Sequence, residues 1–317
     1  MPSPPFAVRT LSGGQAAPVV AVLMGGPSRE HDISLKTGAA IAAALRESGW
    51  PVHELVFREA ALPAIPADTQ VVFPALHGQF GEDGEVQALL AAASLPYVGS
   101  GPAASARMID KQATKDWLAA RDIPVPRGCI ITDRDAPMPT DLALPLIVKP
   151  NREGSTDGLN LVRLESQWRG ALDDALTFGG QALVEEFLAG VEATVGLVDG
   201  HALPVVEIRP PGSIYTRDAK YVYKDGKTEY FCPPERLSAE TQATMREQAE
   251  AAFRALDARD LLRVDFRLDA AGLPRVLEVN NLPGFTGTSL LPKAAAAAGI
   301  TFAALCHHLL LSALARG

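Results

Sequence analysis

Four polar residues near the C-terminus have types and spacing that could do chemistry: Arg263 and Asp265 in one alternating run, Glu278 and Asn280 in the next. The runs flank Ala270-Ala271-Gly272, so the stretch predicts an antiparallel hairpin. With the turn centred on Ala271-Gly272, Asp265 lies opposite Glu278 and Arg263 opposite Asn280. All four then share one face, while Val264, Phe266, Leu268, Leu277 and Val279 take the other. Two facing carboxylates repel unless a cation lies between them, and carboxylates with an amide oxygen are hard ligands suited to Mg²⁺. An arginine beside them suits a developing anion. A hairpin with a solvated charged face fits this stretch alone equally well.

Other residues extend the set. Pro283-Gly284 offers a backbone N–H that can be approached closely, and Ser289 stands at a predicted helix start, where N–H groups bind carboxylates. Lys149 closes the apolar run Leu146-Ile-Val, and a lysine there needs an anionic partner. The loop Asn151-Arg-Glu-Gly154-Ser155-Thr156-Asp157-Gly158 follows it, with glycines and hydroxyls able to cradle phosphates. Near the N-terminus, Met24-Gly-Gly-Pro-Ser-Arg-Glu30 opens a helix, and His77 begins the glycine-rich turn His77-Gly-Gln-Phe-Gly-Glu-Asp-Gly84. Taken singly, Glu30 reads as a helix-start residue, His77 as structural, and the loop as a turn.

These positions require an α/β scaffold. Strands are predicted at 18–24, 52–57, 71–75, 95–98, 125–131, 144–149 and 182–188, with a hairpin at 193–208 turning on Asp199-Gly200. Helices are predicted from about Ser34 to Arg46, from Glu85, over 106–121, 164–178 and 238–256, and at 289–298 and 302–314. Residues 209–234 lack periodicity and read as either a disordered segment or a functional lid. Met1 to Ala17 is rich in Pro, Gly and Ser, without the basic start and apolar core of a secretory signal, and predicts a disordered tail. The chain has 317 residues, a net charge of −8 and three scattered cysteines. That balance argues against a nucleic-acid partner, and the cysteine spacing against disulfides or zinc. No apolar run reaches the length of a membrane span, so a cytoplasmic protein is expected.

The run Arg263-x-Asp265, then Glu278-x-Asn280-x-x-Pro-Gly284-x-Thr-x-x-Ser289-Leu290, resembles the C-terminal signature of D-alanine–D-alanine ligases, which are ATP-grasp enzymes. The Glu30 and His77 stretches, Lys111, Lys149 with its loop, and Glu185-Glu186-Phe-Leu188 with Glu192 resemble further motifs of the family in its order. The resemblance implies an α/β, three-domain ATP-grasp fold with a flavodoxin-like N-terminal domain. Its parts would be residues 18–105 for the first substrate, 106–190 as the central subdomain, and 191–317 as the C-terminal one. It implies ATP as cosubstrate and two Mg²⁺ ions, with Mn²⁺ a possible substitute, held by Asp265, Glu278 and Asn280. Two D-alanines would be joined through a D-alanyl phosphate, for peptidoglycan precursors, in a homodimer.

By the same resemblance, Glu30 would hold the first D-alanine's ammonium, with His77 near its carboxylate. Lys111, Lys149 and Lys220 would meet phosphates. Glu185, Glu186 and Leu188 would meet adenine, Glu192 the ribose, and Phe231 would complete the nucleotide site. Tyr221 would hydrogen-bond towards Ser155 and Glu30; a tyrosine there is the form of ligases that make D-alanyl-D-alanine, against phenylalanine in those that accept D-lactate. Arg263 and the Gly284 N–H would hold the tetrahedral oxyanion, and Ser289 and Leu290 the second substrate's carboxylate. Two positions depart from the family pattern. Asp157 stands where valine is usual and adds a carboxylate beside a polyphosphate, and Glu186 stands where lysine is frequent. Three rivals are an ATP-grasp ligase for another amino acid or a D-hydroxy acid, a non-catalytic ATP-binding protein, and an NAD-linked dehydrogenase. The last lacks its dinucleotide loop.

Overall fold

The computed structural model describes residues 4–11, 16–154, 157–212 and 228–316. Ser155, Lys220 and Tyr221 lie outside them. Strand β1 (Val20–Gly25) is buried along its whole length because it runs parallel between β2 (Val52–Phe57) and β3 (Val71–Pro74). Tyr97 extends that sheet by a parallel bridge to Val72. Helix α1 (His31–Glu47) covers one face, and Val86 and Leu90 of α2 (Glu85–Ala92) pack on the other.

The central sheet is antiparallel, in the order β4 (Gly128–Ile131), β7 (Ala182–Glu186), β5 (Leu146–Pro150), β6 (Asn160–Val162). Helix α5 (Trp168–Leu176) buries one face of it. The C-terminal sheet runs β11 (Glu229–Phe231), β10 (Val206–Arg209), β8 (Glu192–Val198), β12 (Leu261–Leu268), β13 (Pro274–Asn280), with β9 (His201–Ala202) paired to β8. Helix α6 (Ala239–Ala255) lies on it. Helices α7 (Leu290–Ala297) and α8 (Phe302–Leu314) close the chain and share a core with β1 and α1. Among the described residues, no single helix is long and apolar enough to cross a membrane.

Three expectations are corrected. The helix expected over 106–121 is two, α3 (Pro102–Ile109) and α4 (Lys111–Ala119). Asp110 between them is extended and caps α4 by accepting the Ala113 N–H at 3.0 Å, a bond that competes with continuing the helix. Ala104, Met108 and Leu118 of these helices join Val264 and Phe266 in the C-terminal core, so α3 and α4 pack there although their sequence precedes the central sheet. The N-terminal segment is docked where described: Phe6, Val8 and Leu11 pack on the C-terminal helices, and the Arg9 N–H donates to His308 Nδ1 at 2.9 Å. Three apolar anchors outweigh the disorder-prone composition around them.

The hairpin holds the expected pairs through an unexpected route. Arg263 pairs with Asn280 and Asp265 with Glu278, but beyond them Phe266 pairs with Val276. Leu277 is a bulge residue. The turn closes between Asp269 and Leu273, so the pairs beside it, Leu268 with Pro274 and Arg267 with Arg275, are one residue out of the expected register, and the bulge restores the register at the site. Val276 therefore takes the buried place expected for Leu277, while Leu277 faces the cleft.

Candidate active site

The open face of the central sheet and the polar face of the hairpin line a cleft open to solvent, continuous through Lys149, Leu159 and Glu278 with a second space. Asp265 accepts four hydrogen bonds there. Arg263 donates to both oxygens, from Nε at 2.9 Å and Nη2 at 2.8 Å. Thr194 Oγ on β8 donates at 2.6 Å and Asn280 Nδ2 at 3.1 Å. The Asp265–Glu278 pairing thus puts two carboxylates and an amide on one strand pair, with an arginine beside them. Among the described residues no three His, Cys, Asp or Glu side chains converge. A donor set of two carboxylates plus an amide suits a hard cation that takes its remaining oxygens from phosphates and water.

The opposite wall is basic. Lys149 is the penultimate residue of β5, is buried, and donates to Glu185 Oε1 at 2.6 Å; Lys115 on α4 contacts Glu185 Oε2. Lys111, one turn earlier, donates to the Glu153 carbonyl of the phosphate-type loop. Asp157 lines the same end of the cleft as Lys111. Glu186 accepts from Arg127 N–H at 2.9 Å and Nε at 3.4 Å, so an arginine just before the neighbouring strand offsets this acidic departure. Leu188 and Glu192 line the cleft, and the Arg267 guanidinium lies 3.9 Å from Glu192 and over the Phe187 ring. Phe231 is on the edge strand beneath Arg209 and is not among the cleft-lining residues.

Beside the second space, the Glu30 stretch, the His77 turn and the phosphate-type loop come together. Glu30 is the residue before α1, yet its carboxylate does not cap the helix. A methyl group on either Gly78 or Gly154 would lie 3.1 Å from Glu30 Oε2, which places the carboxylate between the His77 turn and the phosphate-type loop. His77 is buried; its Nδ1 lies 3.2 Å from the Leu282 carbonyl and its Nε2 3.0 Å from Thr37 Oγ. A carbonyl can only accept, so Nδ1 carries the hydrogen and Nε2 accepts from the hydroxyl. Burial pushes the ring's pKa down, against the opposing pull of Glu30. At the hairpin exit, Ser289 Oγ accepts from the Thr286 N–H at 3.0 Å and lies 3.5 Å from where a Gly284 side chain would begin. Leu290 starts α7 and lines the cleft with Arg263.

Sequence reasoning assigned no role to Lys115, Thr194 or Glu82. Lys115 follows Lys111 by four residues and so shares its helix face, the one available signal. Glu82 lies within the quoted glycine-rich motif; its Oε2 accepts the Gly78 N–H at 2.6 Å. Burial, and then the Glu30 charge, push its carboxyl up to about 8.

Two family models match the chain: the D-Ala–D-Ala ligase N-terminus over residues 52–100 and the D-Ala–D-Ala ligase C-terminus over 128–311. The D-alanine–D-alanine ligase of Syntrophotalea carbinolica is 41% identical, with 94% of this chain and 96% of that one covered. That of Anaeromyxobacter sp. strain K is 43% identical, covering 92% and 95%. A crystal structure of the Bacillus anthracis D-alanine–D-alanine ligase complexed with ATP superposes with a TM-score of 0.81 at 29% identity, covering 95% and 98%.

Proposed function

This chain belongs to the D-alanine–D-alanine ligase family, and on that premise we propose that its cleft joins two D-alanines to D-alanyl-D-alanine at the expense of ATP, for peptidoglycan precursors. One observation carries the reading: Arg263, Asp265, Glu278 and Asn280 face one another on a single hairpin, across the cleft from Lys149 and Lys111. That is a floor for anionic transition states opposite a wall for phosphates.

The nucleotide would lie with its base along Glu185, Glu186 and Leu188, its ribose at Glu192 and its phosphates at Lys149 and Lys111. Asp265, Glu278 and Asn280 would hold Mg²⁺, two ions by family resemblance and replaceable by Mn²⁺. Bound there, the cation neutralises phosphate charge and aligns the transfer. Glu30 would accept from the ammonium of the first D-alanine, whose carboxylate oxygen attacks the γ-phosphorus and releases ADP. The amine of the second D-alanine, its carboxylate at Ser289 and Leu290, then attacks the acyl phosphate carbon. Arg263 and the Gly284 N–H would hold the tetrahedral oxyanion, and its collapse expels phosphate. Ser155, Tyr221 and Lys220 are assigned by resemblance alone. A homodimer in the cytoplasm completes the reading by the same resemblance.

The test is ADP release from ATP and Mg²⁺ with D-alanine, with L-alanine, and with D-lactate plus D-alanine, the products identified by mass. D-alanyl-D-alanine from D-alanine alone is expected. Turnover only with another pair would replace the substrate, and ATP binding without turnover would refute the catalytic reading.

A further inference from the structure

Lys115 is 3% exposed and Glu185 2% exposed, so both ionise out of reach of bulk water. The Glu185 carboxylate is shared: Lys115 takes Oε2, and Lys149 takes Oε1 at 2.6 Å. Two ammonium groups on one carboxylate leave a surplus positive charge at the wall of the cleft, and the member of the triad that lines the cleft with Glu185 is Lys149. Burial and then the Lys149 charge push the pKa of Lys115 down. We propose that Lys115 is a positioning residue for the nucleotide: by neutralising Glu185 it lets Lys149 leave that carboxylate for a triphosphate. The inference rests on the ATP reading of the cleft.

The physical argument is one of competition. With Lys115 in place, withdrawing Lys149 still leaves Glu185 paired. Without it, Lys149 is needed to neutralise Glu185, and moving to a phosphate would strand a buried carboxylate. Simple anchoring of α4 to β7 would instead loosen the whole site and weaken every nucleotide fragment alike.

Calorimetric titration of ATP and of adenosine, on the full chain with Mg²⁺, separates the two. Lys115→Met should weaken ATP by about tenfold or more while adenosine changes by less than about twofold. Adding Glu185→Gln removes the competing charge, so K115M/E185Q should regain the wild-type preference for ATP over adenosine to within about threefold. Unchanged ATP binding in K115M, parallel weakening of both ligands, or no rescue in the double variant would each overturn the proposal. If K115M does not fold, the double variant decides alone: a kept preference supports the proposal and a lost one overturns it. Failure of the wild-type chain to bind ATP would refute the nucleotide reading instead.

Discussion

Arg263 clasps Asp265, two residues further along the same strand, through two parallel hydrogen bonds of 2.9 and 2.8 Å. Residues two apart on a strand share a face, and the planar guanidinium matches a carboxylate in a way an ammonium cannot. The pair fixes the arginine fork over the cleft floor. Arg263→Lys keeps the charge and loses that geometry. We expect turnover to fall by about 10²- to 10³-fold, the loss typical of removing one oxyanion donor, with ATP affinity within about threefold of wild type. ADP release and calorimetry measure the two. An equal loss in both would show that Arg263 organises the nucleotide site, not the transition state.

Glu82 links this site to pH. Its folded-state carboxyl is pushed up to about 8, from its ordinary 4.5, first by burial and then by Glu30. Between those values the folded chain holds a proton that the unfolded chain has released. Its contribution is therefore fully present below about 4.5 and is lost as pH rises through about 8. At about 1.4 kcal/mol per unit, the difference in unfolding free energy between wild type and Glu82→Gln should shift by roughly 3–5 kcal/mol between pH 4.5 and 8.5. Glutamine still accepts the Gly78 N–H, so geometry is kept. Urea titrations without nucleotide or divalent cation suffice, and parallel pH profiles for the two proteins would refute the buried proton.

The glycine that ends the His77 turn should be intolerant of a methyl group. Gly84 has φ +98°, and an added Cβ would lie 2.5 Å from the Pro102 carbonyl oxygen, a backbone atom that cannot swing away. Gly84→Ala should cost about 2–4 kcal/mol, combining left-handed strain with overpacking. Gly180→Ala is the control: φ is +72° but no atom lies within 4 Å, so only the strain of about 1–2 kcal/mol is expected. Equal losses in denaturant unfolding would mean that the Pro102 contact is relieved elsewhere.

The functional strings were legible because each packs several needs into adjacent positions. Alternation alone put Arg263, Asp265, Glu278 and Asn280 on one face. What was not legible depends on distant partners. The Leu277 bulge answers a turn whose flanking pairs are one residue out of the register that Ala271-Gly272 implies. Lys115 looks like an ordinary helix lysine until Glu185, 70 residues later, is folded against it. Asp110 sits in a helical pattern, and its capping of Ala113 becomes visible only once the backbone has turned there. Glu30 could be read as a helix-start residue, and only the glycines on either side of its carboxylate set it apart. Local periodicity encodes faces and elements, whereas burial and charge pairing are set by the tertiary structure.

The N-terminal segment gives a test away from the cleft. Asp199 Oδ2 accepts from His308 Nε2 at 3.1 Å and Ser312 Oγ at 2.7 Å, while His308 Nδ1 accepts the Arg9 N–H and its ring lies 4.8 Å from Phe6. Burial alone would raise the Asp199 pKa; hydrogen bonds from His308 and Ser312 outweigh it and hold the group below its usual value of 3.8. A depressed carboxylate contributes stability that is present above its unfolded pKa and lost as pH falls through the folded one. His308→Leu removes the acceptor for Arg9 and a donor to Asp199 together. It should cost about 2–4 kcal/mol, reduce the part of the acid-limb loss below about pH 4 that Asp199 supplies, Ser312 still donating to the carboxylate, and release the segment. Trypsin cleavage after Arg9, followed by mass, should speed up by about tenfold or more, with dipeptide synthesis unaffected because the clasp lies outside the cleft. Cleavage at the wild-type rate would mean that Phe6, Val8 and Leu11 hold the segment by apolar packing alone.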